Sequence, residues 1–485
     1  MAFTGYAFVL FFFVIVLPAR WLLPHLLASS KDGSENGGAP PGRRAAIVRG
    51  VLLVASVAFY LTWGWELAIL LAVLTTFTYG AGVLLRTRQS PRKRKQVLAA
   101  SIVLLLATLA SFKYAAFFAS FFPGVQVPKL PLPLGISFYV FEMISYLVDV
   151  YRGDHGAESL PEFALYVSYF PHLIAGPIVR ASELLPQLRE DKPFDSRRAS
   201  EGMFIMLTGF VKKMVIADNL ASFADAVFKK PDSFNTVELV AGVAAYTGQI
   251  YCDFSGYTDI ARGGSTMLGF ELPENFDYPY LSRSITEFWR RWHMTLSRWL
   301  RDYLYIPLGG NRGSELATYR NLFITMALGG LWHGARITFV IWGAYHGVLL
   351  ALHKLYSGET RGERWVKIRE NVAYQAVATV GTLVLVMIGW VFFRAVTFHD
   401  AAVIFKRIAS HDAWPVPGWK PTKVLDTTSW YLGALVALHM AGGVKLGLRT
   451  QRVLPAGARG LLWAGMVIVL YWFATTSPTF IYFYF

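Results

Sequence analysis

The segment Ala327-Leu-Gly-Gly-Leu-Trp-His-Gly334 places a histidine in a run of apolar residues that is long enough to lie inside a membrane. Ionisable groups at membrane depth are costly, so such a histidine usually has a chemical task or a buried partner. The glycines around it allow a helix to end or kink and let backbones approach closely. We therefore expect His333 to lie beside a small polar cavity. A buried histidine that is satisfied by a backbone carbonyl is the alternative.

A second histidine, His293, lies in the tryptophan- and arginine-rich segment Phe288–Ser297. A single helix over residues 284–304 would gather the large apolar residues in one stripe and the arginines on the opposite side. Helices of this kind lie along membrane interfaces. His293 would fall at the edge of the stripe, where it either points into the protein or marks the boundary of a surface helix. Arg290 and Arg291 would face phosphates or solvent.

The composition indicates a membrane protein. Of 485 residues, 54% are hydrophobic and 16% are charged, whereas soluble domains average about 25% charged residues. The net charge of +15 is explained by cytoplasmic loops that face anionic lipid, so we expect no nucleic-acid partner. Cys252 is the single cysteine, which excludes an internal disulfide bond and a cysteine metal cluster.

Apolar runs predict the membrane spans, which need about 20 residues each. They are expected at 5–27, 46–63, 66–85, 97–122, 372–396, 429–449 and 459–482. Between 131 and 354, the apolar segments contain Glu142, Asp149, His172, Arg180, Lys212, Lys213, Asp253, His333 and His346. This polarity fits helices that are buried among other helices around a wet cavity. We predict an all-α, polytopic integral membrane protein with one domain over 1–485. Its core would lie at about 131–354, and its peripheral helices at 1–130 and 372–485.

Basic loops predict the orientation of the chain. Residues 86–95 contain six positive charges and no acid, which places them in the cytoplasm. Counting back puts the linker 28–45 inside and the N-terminus outside. The first apolar run lacks a preceding positive charge, so we interpret it as a retained span rather than a signal peptide. The connection near 398–428 is expected to be ordered and to lie outside the membrane.

A third polar cluster lies within Gln249–Gly263. Its polar residues are Asp253, Ser255, Tyr257, Asp259 and Arg262. Asp259 and Arg262 are three positions apart and are expected to pair on a helix face. We discount Ser255 as a nucleophile because no Gly-x-Ser-x-Gly elbow is present, and Cys252 because no base lies at a suitable spacing. No His-x-x-His or Glu-x-x-His spacing occurs, so no metal site is expected.

A series of motifs along the chain resembles the membrane-bound O-acyltransferases, and among them the bacterial alginate O-acetyltransferase branch. The motifs are Pro133–Tyr139, Tyr146–Gly153, Phe170–Ile178, Asp253–Tyr257, Pro273–Tyr280, Phe288–Ser297, Arg301–Arg312, Trp332–Gly334 and Phe480–Phe485. The resemblance implies about 11 transmembrane helices, with re-entrant and interfacial helices around a central funnel and a reaction centre midway across the membrane. His333 matches the family's invariant histidine, and His293 matches its second, frequently conserved position. Glu142 and Cys252 depart from residues common in relatives, namely glutamine and an aromatic.

The resemblance also implies a reaction in a bacterial inner membrane. Acyl-CoA, most simply acetyl-CoA, would be the cytoplasmic donor substrate, and no cofactor would be bound. His333 would take the acceptor hydroxyl's proton, while His293 would orient the acceptor or stabilise developing charge. The acceptor would be an extracytoplasmic polysaccharide such as alginate, or a periplasmic SGNH-hydrolase-like partner. We expect further contacts to donor or acceptor from Asp253, Tyr257, Asn275, Arg290, Arg291 and Trp332.

Two other classes of function are compatible with the pattern. A transporter or export channel for polysaccharide or lipid would use the histidines as proton relays, although we find no internal repeat. A scaffold for an envelope complex would hold the histidines as satisfied core residues. Within the family, transfer of D-alanine to teichoic acid or of acetyl to peptidoglycan is also open.

Overall fold

The computed structural model describes residues 1–29, 42–87, 90–122, 124, 127, 130–359, 363–410, 414 and 420–475. Throughout these ranges the regular elements are helices, and no β-strand is present, which confirms the predicted all-α class. Five predictions fall wholly or partly outside the described residues. They concern 30–41 of the linker, 88–89 of the basic segment, 411–413 and 415–419 of the connection 398–428, 476–482 of the last predicted span, and the C-terminal motif Phe480–Phe485.

The chain divides into two compact units. Unit 1 comprises Met1–Gly209 and Tyr257–Pro273, and unit 2 comprises Phe210–Gly256 and Glu274–Phe485. The helix Thr236–Met267 contributes residues to both. The single domain over 1–485 stays a prediction.

Besides its share of Thr236–Met267, unit 1 contains eleven helices among its described residues. They are α1 (Tyr6–Leu10), α2 (Leu17–Ser29), α3 (Arg43–Leu61), α4 (Trp65–Arg86), α5 (Pro91–Lys113), α6 (Ala115–Ala119), α7 (Ile136–Arg152), α8 (Leu160–Ser168), α9 (Phe170–Leu173), α10 (Ala181–Arg189) and α11 (Ser196–Phe210). A π-helical segment, Phe11–Val16, joins α1 to α2. The start of α7 requires Gly135, whose φ is +76° and where a β-carbon would collide with the carbonyl oxygen of Leu173.

Unit 2 contains the remaining helices of the described chain. They are α12 (Asp218–Lys229), α13 (Thr236–Met267, shared with unit 1), α14 (Ile285–Arg291), α15 (Met294–Leu300), α16 (Glu315–His333), α17 (Ile337–Glu359), α18 (Glu363–Glu370), α19 (Val372–Arg394), α20 (Phe398–Ala409), α21 (Lys423–Met440), α22 (Gly443–Val453) and α23 (Ala456–Phe473). Two π-helical segments, Val211–Ala217 and Arg301–Tyr305, and two short 3-10 turns, Pro231–Ser233 and Pro279–Leu281, complete it. Helix α20 lies in the predicted connection 398–428, so part of that connection is helical.

Six helices of the described residues are long and apolar enough to cross a membrane. They are Tyr6–Pro24, Arg43–Leu61, Trp65–Arg86, Pro91–Lys113, Val372–Arg394 and Ala456–Phe473. The pair Val424–Met440 and Gly443–Val453, bent by 62°, would make a seventh. These segments overlap the seven predicted spans, with the bent pair corresponding to the span predicted at 429–449. The total of about 11 also counted the polar segments of the core, and it stays a prediction.

Burial separates the polar helices from the apolar ones. Thirteen residues of α7 are buried, whereas α23 has none. The buried ionisable groups of unit 1 have partners: His172 Nδ1 lies 3.1 Å from Glu142 Oε1, which also accepts a hydrogen bond from Val179 N. This agrees with the expectation that polar segments between 131 and 354 are packed against protein rather than lipid.

A close helix pair determines where His333 lies. Helix α16 ends at His333, and α17 packs back along it. A β-carbon on Gly330 would collide with the carbonyl oxygen of Phe339, and one on Gly343 with that of Met326. Glycine is therefore required on both sides of the contact. The predicted helix end and close backbone approach at His333 are confirmed.

Candidate active site

The predicted single helix over 284–304 is wrong. Helix α14 ends at Arg291, α15 begins at Met294, and a π-helical segment follows α15. His293, at the break, has a φ of +41°, in the left-handed region that residues other than glycine rarely adopt. The pattern of apolar residues is compatible with one helix, so the break must be imposed by contacts from elsewhere in the chain.

A short segment ahead of α14 imposes this break. Asp277 N donates a hydrogen bond to Arg291 O, and Met294 N donates one to Asn275 O, each at 3.0 Å. The side chain of Asn275, only 1% exposed, also binds the start of α15. Its Oδ1 accepts hydrogen bonds from Thr295 N at 3.2 Å and from Thr295 Oγ1 at 3.0 Å, and it lies 3.1 Å from His293 Nδ1. These bonds hold a strained residue in place, as is common at functional sites.

The two predicted histidines meet in unit 2. Their ring centres are 6.5 Å apart, and the side chains are buried, His293 completely and His333 with 3% exposure. Trp332 lies beside both, with ring centres 6.0 Å from His293 and 5.0 Å from His333. Phe254, from α13, packs edge-on against His293 at 4.7 Å. Two imidazoles in an apolar wall are suited to moving a proton where water is scarce.

A third histidine, His346 on α17, belongs to the same aromatic cluster. It is fully buried, and its ring centre lies 5.1 Å from that of Trp342, which in turn is 5.1 Å from His333. Trp289 Nε1 donates a hydrogen bond to His346 Nδ1 at 3.4 Å. Sequence reasoning identified His346 only as a polar residue in an apolar segment. Its place in this cluster depends on the packing of α14 against α17, which no local pattern encodes.

A cavity of about 840 Å³ lies in unit 2 beside this cluster. Its charged lining residues are Glu287, Arg290, Arg301 and Lys354, and His353 lies among them. Glu287 pairs with Arg291 and Arg301 with Asp302. Arg290 and Lys354 therefore give the cavity its positive charge, which favours an anionic ligand. Trp289 forms part of the wall and packs against Trp342 at 5.7 Å, which links the cavity to the surroundings of His333.

The two arginines predicted to contact the donor differ in their surroundings. Arg290 is exposed and lines the cavity. Arg291 forms an ion pair with Glu287 at 2.8 Å and donates a hydrogen bond to Asp277 O. Arg290 is therefore placed for binding an anion, while Arg291 also stabilises the bend between α14 and α15.

Asp253 and Tyr257 were both predicted to contact substrate. Asp253 is buried in unit 2, where Lys213 Nζ lies 2.6 Å from it and 2.6 Å from Asp218. Tyr257 belongs to unit 1, where its ring stacks on Phe3 at 4.7 Å. The carboxylate of Asp253 therefore forms part of a buried ion cluster, and a contact with substrate stays a prediction for both residues.

The other residues of the third polar cluster, Gln249–Gly263, lie on α13. Asp259 and Arg262 pair at 3.5 Å, as predicted. Ser255 and Cys252 are buried within the continuous helix α13. Over the described residues, no group of three His, Cys, Asp or Glu side chains could hold a metal ion.

Residues 56–389 match the family model described as "MBOAT, membrane-bound O-acyltransferase family". This chain belongs to the membrane-bound O-acyltransferase family. Its 45% identity to the probable alginate O-acetylase AlgI of Pseudomonas aeruginosa extends over 80% of the chain and 74% of that protein. The peptidoglycan O-acetyltransferase of Helicobacter pylori is 37% identical over 73% of the chain and 72% of that protein.

A third, more distant relative is named for a different activity. The teichoic acid D-alanyltransferase of Bacillus subtilis is 26% identical over 55% of the chain and 69% of that protein. Together with the family match, these relatives identify the chain as a membrane O-acyltransferase.

Proposed function

We propose that this protein transfers an acetyl group from cytoplasmic acetyl-CoA towards hydroxyl groups of an extracytoplasmic polysaccharide such as alginate. The observation that carries the proposal is the pair of buried histidines, 6.5 Å apart, in an aromatic cluster that reaches a cationic cavity through Trp289. The identity to alginate O-acetylase relatives over four-fifths of the chain supports acetyl as the acyl group and alginate as the first acceptor to test.

The proposed reaction is a single acyl transfer. The acceptor oxygen attacks the thioester carbonyl carbon, a C–O bond forms and the C–S bond breaks. His333, as a neutral imidazole, takes the hydroxyl proton and returns it to the departing thiolate. The products are an acetate ester and free CoA thiol, and no bound cofactor takes part. General-base help of this kind contributes about 10²–10⁴-fold to the rate.

The cationic cavity is the proposed donor site. Acetyl-CoA has several phosphates, and Arg290 and Lys354 offer charges of the opposite sign in one place, whereas Arg301 is paired with Asp302. Trp289 lies between this cavity and Trp342, the neighbour of His333. A thioester arm extending past Trp289 would bring its carbonyl towards the histidines.

The proposed orientation follows from charge. We place the basic segment 86–95 in the cytoplasm and the N-terminus outside, in a bacterial inner membrane. Donor and acceptor then arrive from opposite sides. The acetyl group would pass to the polysaccharide directly, or through a periplasmic SGNH-hydrolase-like partner.

The test is acyl transfer by purified protein in lipid nanodiscs. Acetyl-CoA is supplied with alginate oligosaccharides or peptidoglycan fragments, and both free thiol and the mass of the glycan are measured. Thiol release that depends on a glycan, with a matching acetyl mass gain, is expected. Glycan movement across proteoliposomes without thioester consumption would instead support a transporter.

Two variants assign the activity to the site. His333→Gln is expected to lower the rate by about 10²–10⁴-fold. His439→Gln removes another buried histidine of unit 2 and is expected to retain activity. A His333→Gln protein that is folded and turns over at the wild-type rate would overturn the assignment of the base.

A further inference from the structure

The contacts of Asn275 determine which nitrogen of His293 bears the proton. Thr295 N is a backbone N–H and can only donate, so the Asn275 atom that it meets at 3.2 Å must be the carbonyl oxygen Oδ1. The hydroxyl of Thr295 donates to the same oxygen at 3.0 Å. The two donors of Thr295 therefore determine which side-chain atom of Asn275 is the oxygen and which is the nitrogen.

His293 Nδ1 lies 3.1 Å from that same oxygen. Because Oδ1 only accepts, Nδ1 must be the protonated nitrogen. A neutral imidazole has a single N–H, so Nε2 has the free lone pair. Nε2 is buried and has no hydrogen-bond partner within the described part of the chain. A buried acceptor without a partner is costly unless a ligand supplies a donor.

We propose that Asn275 is a positioning residue: it holds His293 as the Nδ1–H tautomer, so that Nε2 accepts a hydrogen bond from the acyl acceptor. This rests on the proposed function. The acceptor would then present two hydroxyls, as a polysaccharide does. One attacks the thioester after losing its proton to His333, and a neighbouring one donates to His293 Nε2. The single proton of neutral His293 lies on Nδ1 and is donated to Asn275, so Nε2 has no proton for an oxyanion and the role of orienting the acceptor is favoured.

The backbone around His293 supports this assignment. Asn275 binds three successive residues, with its backbone oxygen on Met294 and its side-chain oxygen on His293 and Thr295. Ending one helix and starting the next would need a single capping side chain. The additional bond to the imidazole holds a residue whose left-handed conformation is otherwise unfavourable.

Two substitutions of Asn275 distinguish a role in positioning His293 from a role in stabilising the fold alone. Asn275→Asp keeps an acceptor oxygen for Nδ1 and Thr295, whereas Asn275→Leu removes it. We expect Asn275→Leu to raise the acceptor KM up to about tenfold, the effect of losing one such hydrogen bond, and to leave the acetyl-CoA KM unchanged. Asn275→Asp should restore most of the acceptor affinity. Its carboxylate favours the protonated imidazole, so the acidic limb of the rate–pH profile should move to higher pH.

Asn321→Leu is the matched control, because Asn321 is a buried asparagine of unit 2 that donates to Gly310 O instead. It is expected to leave the acceptor KM and the pH profile at wild-type values. Equal acceptor KM values in wild type and Asn275→Leu would overturn the proposal. So would an Asn275→Asp variant without any shift in its pH profile.

A spectroscopic measurement tests the tautomer without any turnover. Protein labelled with ¹⁵N-histidine is examined by solid-state NMR, and His293→Gln identifies the signals of His293. The expected result is a protonated Nδ1 and an unprotonated Nε2. A protonated Nε2 in the wild type would refute the proposal even if Asn275→Leu failed to fold. Because this result needs no substrate, it is distinguishable from a failure of the proposed acetyl transfer.

Discussion

Gly330 lies so close to Phe339 that a β-carbon on the glycine would collide with the carbonyl oxygen of the phenylalanine. The atom in the way belongs to the backbone, which cannot rotate aside as a side chain can. The contact therefore joins α16 to α17 at the level of the last turn before His333.

Gly330→Ala should consequently destabilise the protein. We expect a loss of about 1–3 kcal/mol in the free energy of unfolding, as for other overpacked positions, together with displacement of His333 and reduced activity. Thermal unfolding followed by tryptophan fluorescence measures the first effect. Gly381→Ala is the control, since no atom lies within 4 Å of its β-carbon position. An equally stable Gly330→Ala protein would show that the helix pair can open at no cost.

The two adjacent arginines should differ in donor binding. Arg290→Ala is expected to raise the KM for acetyl-CoA several-fold, because Arg290 lines the cavity, and the effect should shrink at high salt. Arg291→Ala should change this KM less, since Arg291 is paired with Glu287. Initial rates at two ionic strengths measure both. A larger effect from Arg291 would place the donor phosphates elsewhere.

If the buried ion cluster stabilises the fold, removing its shared cation should cost more stability than removing one of its carboxylates. Lys213→Met leaves the carboxylates of Asp218 and Asp253 without their shared cation, and removing one side of a buried pair costs about 3–5 kcal/mol. Asp253→Asn should cost less, because Lys213 keeps Asp218. Melting temperatures compare the two variants. A strongly raised acceptor KM in folded Asp253→Asn protein would instead support the predicted contact between Asp253 and substrate.

Cys252 should be dispensable for chemistry. It is fully buried in α13, so Cys252→Ala is expected to keep most of the wild-type kcat. No acyl group should be found on the wild-type chain by intact mass measurement after rapid quenching. Detection of an acylated Cys252 peptide would contradict the direct transfer proposed for His333.

Two features of the fold could be predicted from neighbouring residues in the sequence: the helix end at His333 and the apolar spans. The helix end at His333 was predictable because Gly329, Gly330 and Gly334 mark it directly. The apolar spans were predictable because lipid imposes a length and a composition on each. Both properties are written in neighbouring residues.

The break at His293 was not predictable from the same kind of pattern. Its cause is hydrogen bonding from Asn275 and Asp277, which lie well before α14 in the chain. The different settings of Arg290 and Arg291, and the place of His346 beside Trp342, likewise arise from packing between separate helices. Hydrophobic periodicity describes the faces of a single helix, so it does not predict contacts between separate helices.

The left-handed backbone at His293 has a consequence for how this enzyme would fail. Loss of the few hydrogen bonds that Asn275 makes would let the backbone of His293 relax to a right-handed or extended conformation, while every long helix stayed intact. Gentle heating should then abolish turnover well before the circular dichroism signal declines. A preparation with the full helical circular dichroism signal can therefore be inactive. Enzyme activity, rather than helix content, reports whether the active site is intact.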